Sequence, residues 1–108
     1  MVFIPLSSEL HLRLDMLSDR QTKPLLLAYL RDISPVSGVY LYLSKENTPL
    51  YVGRSRNIYT RLLQQATPQG IEPKMTDDWQ KIGIIVTKHP ILTEKELIRR
   101  YKPIFNNT

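Results

Sequence analysis

Gly38-Val39-Tyr40-Leu41-Tyr42-Leu43 and, beyond the turn-rich Ser44-Lys45-Glu46-Asn47-Thr48-Pro49, Leu50-Tyr51-Val52-Gly53 form the stretch that decides the fold. Both runs alternate. Val39, Leu41 and Leu43 point one way and Tyr40 and Tyr42 the other, while Leu50 and Val52 oppose Tyr51. Apolar and aromatic residues at period two, broken by Asn and Pro, predict a hairpin with strands over about 38–44 and 49–53. Its aliphatic face is expected in the core, with tyrosine hydroxyls presented on the other. Glycine weakens a strand interior, so Gly38 and Gly53 mark places where a side chain would block a close approach. Tyrosine is also an ordinary strand residue. The hydroxyls therefore gain chemical meaning only from what lies downstream.

Elsewhere in the chain the periodicity changes. Asn57 can cap a helix over about 58–66 whose apolar face is Tyr59, Leu62, Leu63 and Ala66. The segment 67–77, with two prolines and Gly70, reads as a loop. Lys81 to Thr87 reads as a third strand, and Pro90 opens a last helix to about Tyr101, stopped by Pro103. Upstream, Ser7 or Ser8 can cap a helix over about 9–17 with Leu10, Leu14 and Leu17 on one face, and Pro24 begins a second over about 24–31. Residues 1–36 are thus expected to be a helical lead-in packed on a domain formed by 37–108.

A chain of 108 residues can bury one modest core. Its 42% hydrophobic and 23% charged content is that of a globular protein rather than a disordered one. Without cysteine, a disulfide framework and a thiolate metal site are both excluded. The start has no basic region leading into a long apolar stretch, and the longest apolar run, Leu25 to Leu30, is too short to span a bilayer. A cytoplasmic protein with no membrane partner is expected. Residues 1–50 carry five basic and five acidic side chains; residues 51–108 carry ten and five, so the whole net charge of +5 lies in the second half. Such an excess suits a nucleic-acid surface.

Three arginines follow the second glycine within eight residues: Arg54, Arg56 and Arg61. A solvated position is the ordinary fate of each alone. Together, beside a tyrosine face, they offer planar, permanently charged forks to phosphate. In the last helix Glu94 and Ile98 share a face, which lets the carboxylate meet the sheet. That is costly unless it pairs with a cation, and one carboxylate plus waters is how magnesium usually binds. Thr93-Glu94-Lys95-Glu96 has capping-box spacing, which would make Glu96 structural, although Pro90 argues for an earlier helix start. His11 and His89 have no partner spacing for zinc.

These residues give the chain from about Ser37 to Asn107 a resemblance to the GIY-YIG nuclease domain of bacterial excision-repair nucleases, homing endonucleases and some restriction enzymes. Gly38-Val39-Tyr40 and Tyr51-Val52-Gly53 match the two signature triplets. Arg61, ten residues after Tyr51, matches the family arginine, Glu94 the metal-binding glutamate, and Asn106, twelve residues beyond Glu94, the family asparagine. Where family members often carry histidine or tyrosine one turn after the arginine, this chain has Gln65. Arg54 stands where lysine is frequent.

The resemblance implies an α+β fold, a small sandwich with a three-stranded antiparallel sheet flanked by helices. It also implies a metal-dependent endonuclease acting on nucleic acid, with DNA the expected partner and no small-molecule cofactor. Glu94 would hold a single Mg²⁺ or Mn²⁺, Tyr40 or Tyr51 would activate the attacking water, and Arg61 would stabilise the developing charge. Arg54 and Arg56 would join Arg61 in holding the backbone, and Asn106 would orient the site. Two other classes fit less of the chain: a non-cleaving binding module of the same fold, and an interaction protein using its N-terminal leucines.

Overall fold

The structure, a computed structural model, describes residues 2–5, 11–65 and 78–106. Their order is β1 (Val2–Pro5), β2 (His11–Leu14), β3 (Met16–Asp19), α1 (Lys23–Ile33), β4 (Gly38–Leu43), β5 (Pro49–Ser55), α2 (Ile58–Gln65), β6 (Lys81–Val86) and α3 (Pro90–Tyr101). Strands β3, β6, β4 and β5 lie side by side in that order as an antiparallel sheet, and β1 and β2 form a separate antiparallel ribbon. The expected α+β sandwich is present, with one strand more than the three anticipated. The extra strand is β3, which pairs Met16 with Ile84 and Leu17 with Gly83 along the free edge of β6.

The lead-in corrects the reading of a helix over 9–17. Leu12 and Leu14 are buried while Arg13 and Asp15 are exposed, a period of two rather than 3.6. Leu14 and Leu17, three apart, fit a helical stripe, but they fall on two strands, β2 and β3, separated at Asp15. What decides is the sheet edge, where Asp15 accepts the Val86 N–H at 2.7 Å and donates its own N–H to Ile84 at 2.8 Å. Leu10 and the expected serine caps lie outside the described residues, as do Ala66 and the loop 67–77. α1 begins as expected, with Pro24 in its first turn and Leu26 and Leu30 buried one turn apart.

All six residues of β4 are buried, because this central strand is covered on both faces. On one face Val39, Leu41, Leu43 and Val52 pack with Leu97 of α3 and with Ile4, Leu12 and Leu14 of the ribbon. On the other, Tyr40 and Tyr42 pack beneath α1 and α2 against Leu26, Leu30, Ile58, Leu62, Trp79 and Ile84. The tyrosine face is therefore a second core rather than a solvent face.

The hairpin turn places Asn47 at φ 69°, a left-handed conformation that asparagine tolerates. Its register sets Tyr40 opposite Gly53 and Tyr42 opposite Tyr51. A Cβ on Gly53 would overlap the Tyr40 phenol ring, and one on Gly38 would overlap the Ile85 carbonyl. Both glycines are close approaches, as their place in a strand suggests. β5 runs on to Ser55, so Arg54 is a strand residue paired with Val39 rather than the start of a loop.

Candidate active site

Four elements converge on an open basin of 910 Å³ at one end of the sheet, with Tyr40, Tyr51, Arg54, Arg56, Arg61 and Glu94 on its walls. β4 supplies Tyr40, β5 supplies Tyr51 and Arg54, α2 supplies Arg61, and α3 supplies Glu94. The side chains of Tyr40, Tyr42 and Tyr51 form a ring cluster with centroids 6.2 to 6.4 Å apart, close enough for edge contacts.

Burial dominates the electrostatics of the two basin tyrosines. It raises the Tyr40 pKa far above the ordinary value, and the nearby Tyr51 adds to the rise, while Arg61 and a hydrogen bond from Gln65 oppose it. Tyr51 is raised less. Burial lifts it and Glu94 adds to the effect, while a hydrogen bond from Tyr40 and the charge of Arg61 pull it down. Arg61 is exposed on the outer side of α2 and so delivers its charge from the solvent edge of the basin. Asn57 caps that helix by accepting the Thr60 N–H at 3.3 Å.

Glu94 accepts a hydrogen bond from the Arg54 guanidinium at 2.9 Å, and its side chain is 16% exposed. It is shielded but reachable. A cation therefore already neutralises the carboxylate, and among the described residues no cluster of three or more His, Asp or Glu could hold an ion. One hard oxygen donor in an open, water-accessible basin fits Mg²⁺, which keeps most of its waters and takes one or two carboxylates plus substrate phosphate.

Glu96 has a different job from the one its spacing suggested. α3 starts at Pro90, Thr93 donates its hydroxyl to the His89 carbonyl at 2.9 Å, and Glu96 pairs with Arg99 at 2.7 Å and Arg100 at 3.2 Å. It is an exposed helix-face ion pair, not a cap.

Asn106 lies away from the basin walls. Its amide accepts the Val52 N–H at 2.7 Å and donates to the Val52 carbonyl at 2.8 Å. β5 is an edge of the sheet, and Asn106 supplies the pair of bonds that a further strand would give. It fixes the strand between Tyr51 and Gly53.

The buried face of α2 is Ile58, Leu62 and Gln65, whereas Tyr59 is half-buried and Leu63 is 42% exposed. Gln65 donates to the Tyr40 hydroxyl at 2.6 Å and accepts from the Tyr42 hydroxyl at 3.0 Å. Its spacing from Ile58 and Leu62 was the available signal, masked by its polarity. Lys88 and His89, in the loop between β6 and α3, also line the basin. Neither carried a motif that pointed to it.

A sheet with signature tyrosines on adjacent strands, an arginine on the following helix and a carboxylate on the last one defines the GIY-YIG nuclease fold. The family description "UvrC-like GIY-YIG domain" matches residues 36–107, and the chain belongs to that family. Among curated relatives, UvrABC system protein C of Chlamydia trachomatis serovar D is 33% identical over 84 residues, covering 71% of this chain and 14% of the relative. Excinuclease cho of Escherichia coli K12 is 37% identical over 86 residues, covering 75% of this chain and 28% of the relative. The chain thus matches only a minor part of either protein. Among solved structures, the magnesium-bound N-terminal endonuclease domain of UvrC from Thermotoga maritima superposes with a TM-score of 0.62 at 23% identity, covering 72% of this chain and 96% of that domain.

Proposed function

We propose that this protein is an endonuclease that hydrolyses DNA phosphodiester bonds with the help of one divalent cation held at Glu94. The observation that carries the proposal is the meeting of Tyr40, Tyr51, Arg54, Arg61 and Glu94, from four separate elements, on one open basin. The relatives named as excinucleases and the magnesium-bound neighbour support it.

Glu94 and solvent would hold Mg²⁺ or Mn²⁺, which supplies charge neutralisation for the scissile phosphate and its leaving oxygen. Arg61 presents its guanidinium from the basin rim to a non-bridging phosphate oxygen, where negative charge grows as the bond breaks. Tyr51 and Tyr40 place two phenol groups at the back of the basin to orient the attacking water; for either to accept its proton that phenol must first give up its own, a loss that burial opposes and the charge of Arg61 favours. Arg54 and Arg56 are exposed beside them and hold the neighbouring backbone. The non-cleaving alternative loses support, because Gln65 keeps the Tyr40 and Tyr42 hydroxyls in a polar network rather than replacing it with an apolar contact.

The test is incubation of the purified protein with labelled single-stranded, duplex and branched DNA and with RNA, with and without Mg²⁺ or Mn²⁺. Cation-dependent nicking of DNA supports the proposal. Binding without nicking on every substrate would leave the binding module as the correct function.

A further inference from the structure

Gln65 occupies a position that the chemistry of the basin does not by itself require. It ends α2, only 6% of its surface is accessible, and its carboxamide bridges two phenols of the sheet. The two halves of an amide are not equivalent: the oxygen only accepts and the nitrogen only donates. Tyr42 donates to Gln65 Oε1 at 3.0 Å, which leaves Gln65 Nε2 to donate to Tyr40 at 2.6 Å. Tyr42 is itself held in place by Trp79, whose ring stands edge-on at 5.1 Å. On its other side the Tyr40 ring lies against Gly53, where any side chain would collide with it.

A hydroxyl that accepts from Gln65 must send its one proton elsewhere. The neighbouring phenol is that of Tyr51, at a ring separation of 6.2 Å. The two bonds run in one direction, from Tyr42 to Gln65 and from Gln65 to Tyr40, and leave the Tyr40 proton to point toward Tyr51.

We propose that Gln65 is a positioning residue whose amide, oriented by Tyr42, commits the Tyr40 hydroxyl to donate toward Tyr51 and leaves Tyr51 as the phenol whose oxygen serves the attacking water. This rests on the nuclease function proposed above. Gln65 is neither a general acid nor a general base, because a carboxamide neither gains nor loses charge at neutral pH. Tyr42, the donor to the amide oxygen, lies in the core and is out of reach of substrate.

Three substitutions of Gln65 separate direction from mere packing. Gln65→Met keeps the length and removes both polar atoms, Gln65→Glu offers acceptors alone, and Gln65→His restores one donor and one acceptor. With saturating cation and DNA, kcat should fall about 10- to 100-fold in the Met and Glu variants, the scale of a displaced reacting group. KM should stay near the wild-type value, and the His variant should recover part of the loss. Tyr42→Phe should lower kcat in the wild-type background and add nothing to Gln65→Met, since it acts through the amide.

Near-normal kcat in Gln65→Glu, or independent losses from Gln65→Met and Tyr42→Phe, would overturn the proposal. A readout without catalysis accompanies these. In ¹⁵N-labelled protein, one Gln65 side-chain N–H should exchange slowly and lose that protection in Tyr40→Phe. If the wild type does not cut but this proton behaves so, the nuclease reading fails while the directed network stands. If it exchanges freely, the network is wrong whatever the activity.

Discussion

At Glu94 one carboxylate oxygen already accepts a bond from Arg54 at 2.9 Å, so a divalent ion must compete with, or sit beside, a guanidinium. Glu94→Gln keeps a hydrogen-bond acceptor for Arg54 and removes the charge that attracts an ion. Cation-dependent nicking is expected to vanish while the melting temperature stays within a few degrees, because a partly exposed pair whose hydrogen bond is kept changes stability by about 1 kcal/mol or less. Glu96→Gln is the control: among the described residues Glu96 pairs with Arg99 and Arg100, so its loss should leave nicking intact. Equal damage from both substitutions would remove Glu94 from its role. Arg61 is a separate case, because it holds no partner that a lysine could satisfy as well in the transition state. Arg61→Ala should slow cutting by about 10²–10³-fold, the usual scale for one preorganised donor, and Arg61→Lys should restore little. Tyr40 yields a test by pH. Burial lifts its pKa far above 10.0, so below that value the phenol is protonated in folded and unfolded chains alike. Above it the unfolded chain ionises while folded Tyr40 keeps its proton, and stability falls as pH rises. Between about pH 9 and pH 11 the urea midpoint of the wild type should drop more steeply than that of Tyr40→Phe. Parallel slopes would mean that Tyr40 is not held neutral by the fold.

Elements differ in how openly the chain announces them. β4 and β5 were legible because a strict alternation and two glycines have no helical reading, and α3 because Pro90 and Pro103 bracket it. The lead-in was not, since leucines at positions 14 and 17 have helical spacing although they lie on two separate strands, and the deciding partner, β6, lies almost seventy residues away. Site residues followed the same division. Tyr40, Tyr51, Arg61 and Glu94, singled out by order and residue type, meet on one basin, while the burial of Gln65 was hidden by the rule that polar residues face water. Asn106 was legible as a position but not as a contact. Its amide replaces a missing neighbour for edge strand β5, by bonding both backbone groups of Val52. Asn106→Ala should therefore destabilise the protein by about 1–3 kcal/mol, the cost of leaving such groups unpaired. It should also slow cutting through misplacement of Tyr51. Asn106→Asp keeps one acceptor and should be intermediate in both thermal melting and kcat. A variant with normal stability and lost cutting would instead put the amide in direct contact with the reacting groups.

Across the whole molecule the charge is divided in the way the site needs. The half of the chain up to residue 50 is neutral and supplies much of the sheet and its covers, while the excess of five positive charges falls in the half that lines the basin. Arg54, Arg56, Arg61 and Lys88 stand exposed around it, but Arg54 is already engaged by Glu94. The buried face of α2, with Ile58, Leu62 and Gln65, is committed to the core. Affinity should come from phosphate contacts and show weak base preference. If about three or four phosphates are neutralised, log affinity for duplex DNA should fall against log salt with a slope near −3 to −4. The titration is done with unrelated duplexes in metal-free buffer, so that cutting does not consume the probe. Removing Arg56, which binds no carboxylate in the basin, should reduce the slope by about one unit on every sequence. Tight binding that ignores salt, or that holds for one sequence alone, would mean that this surface recognises bases rather than the backbone.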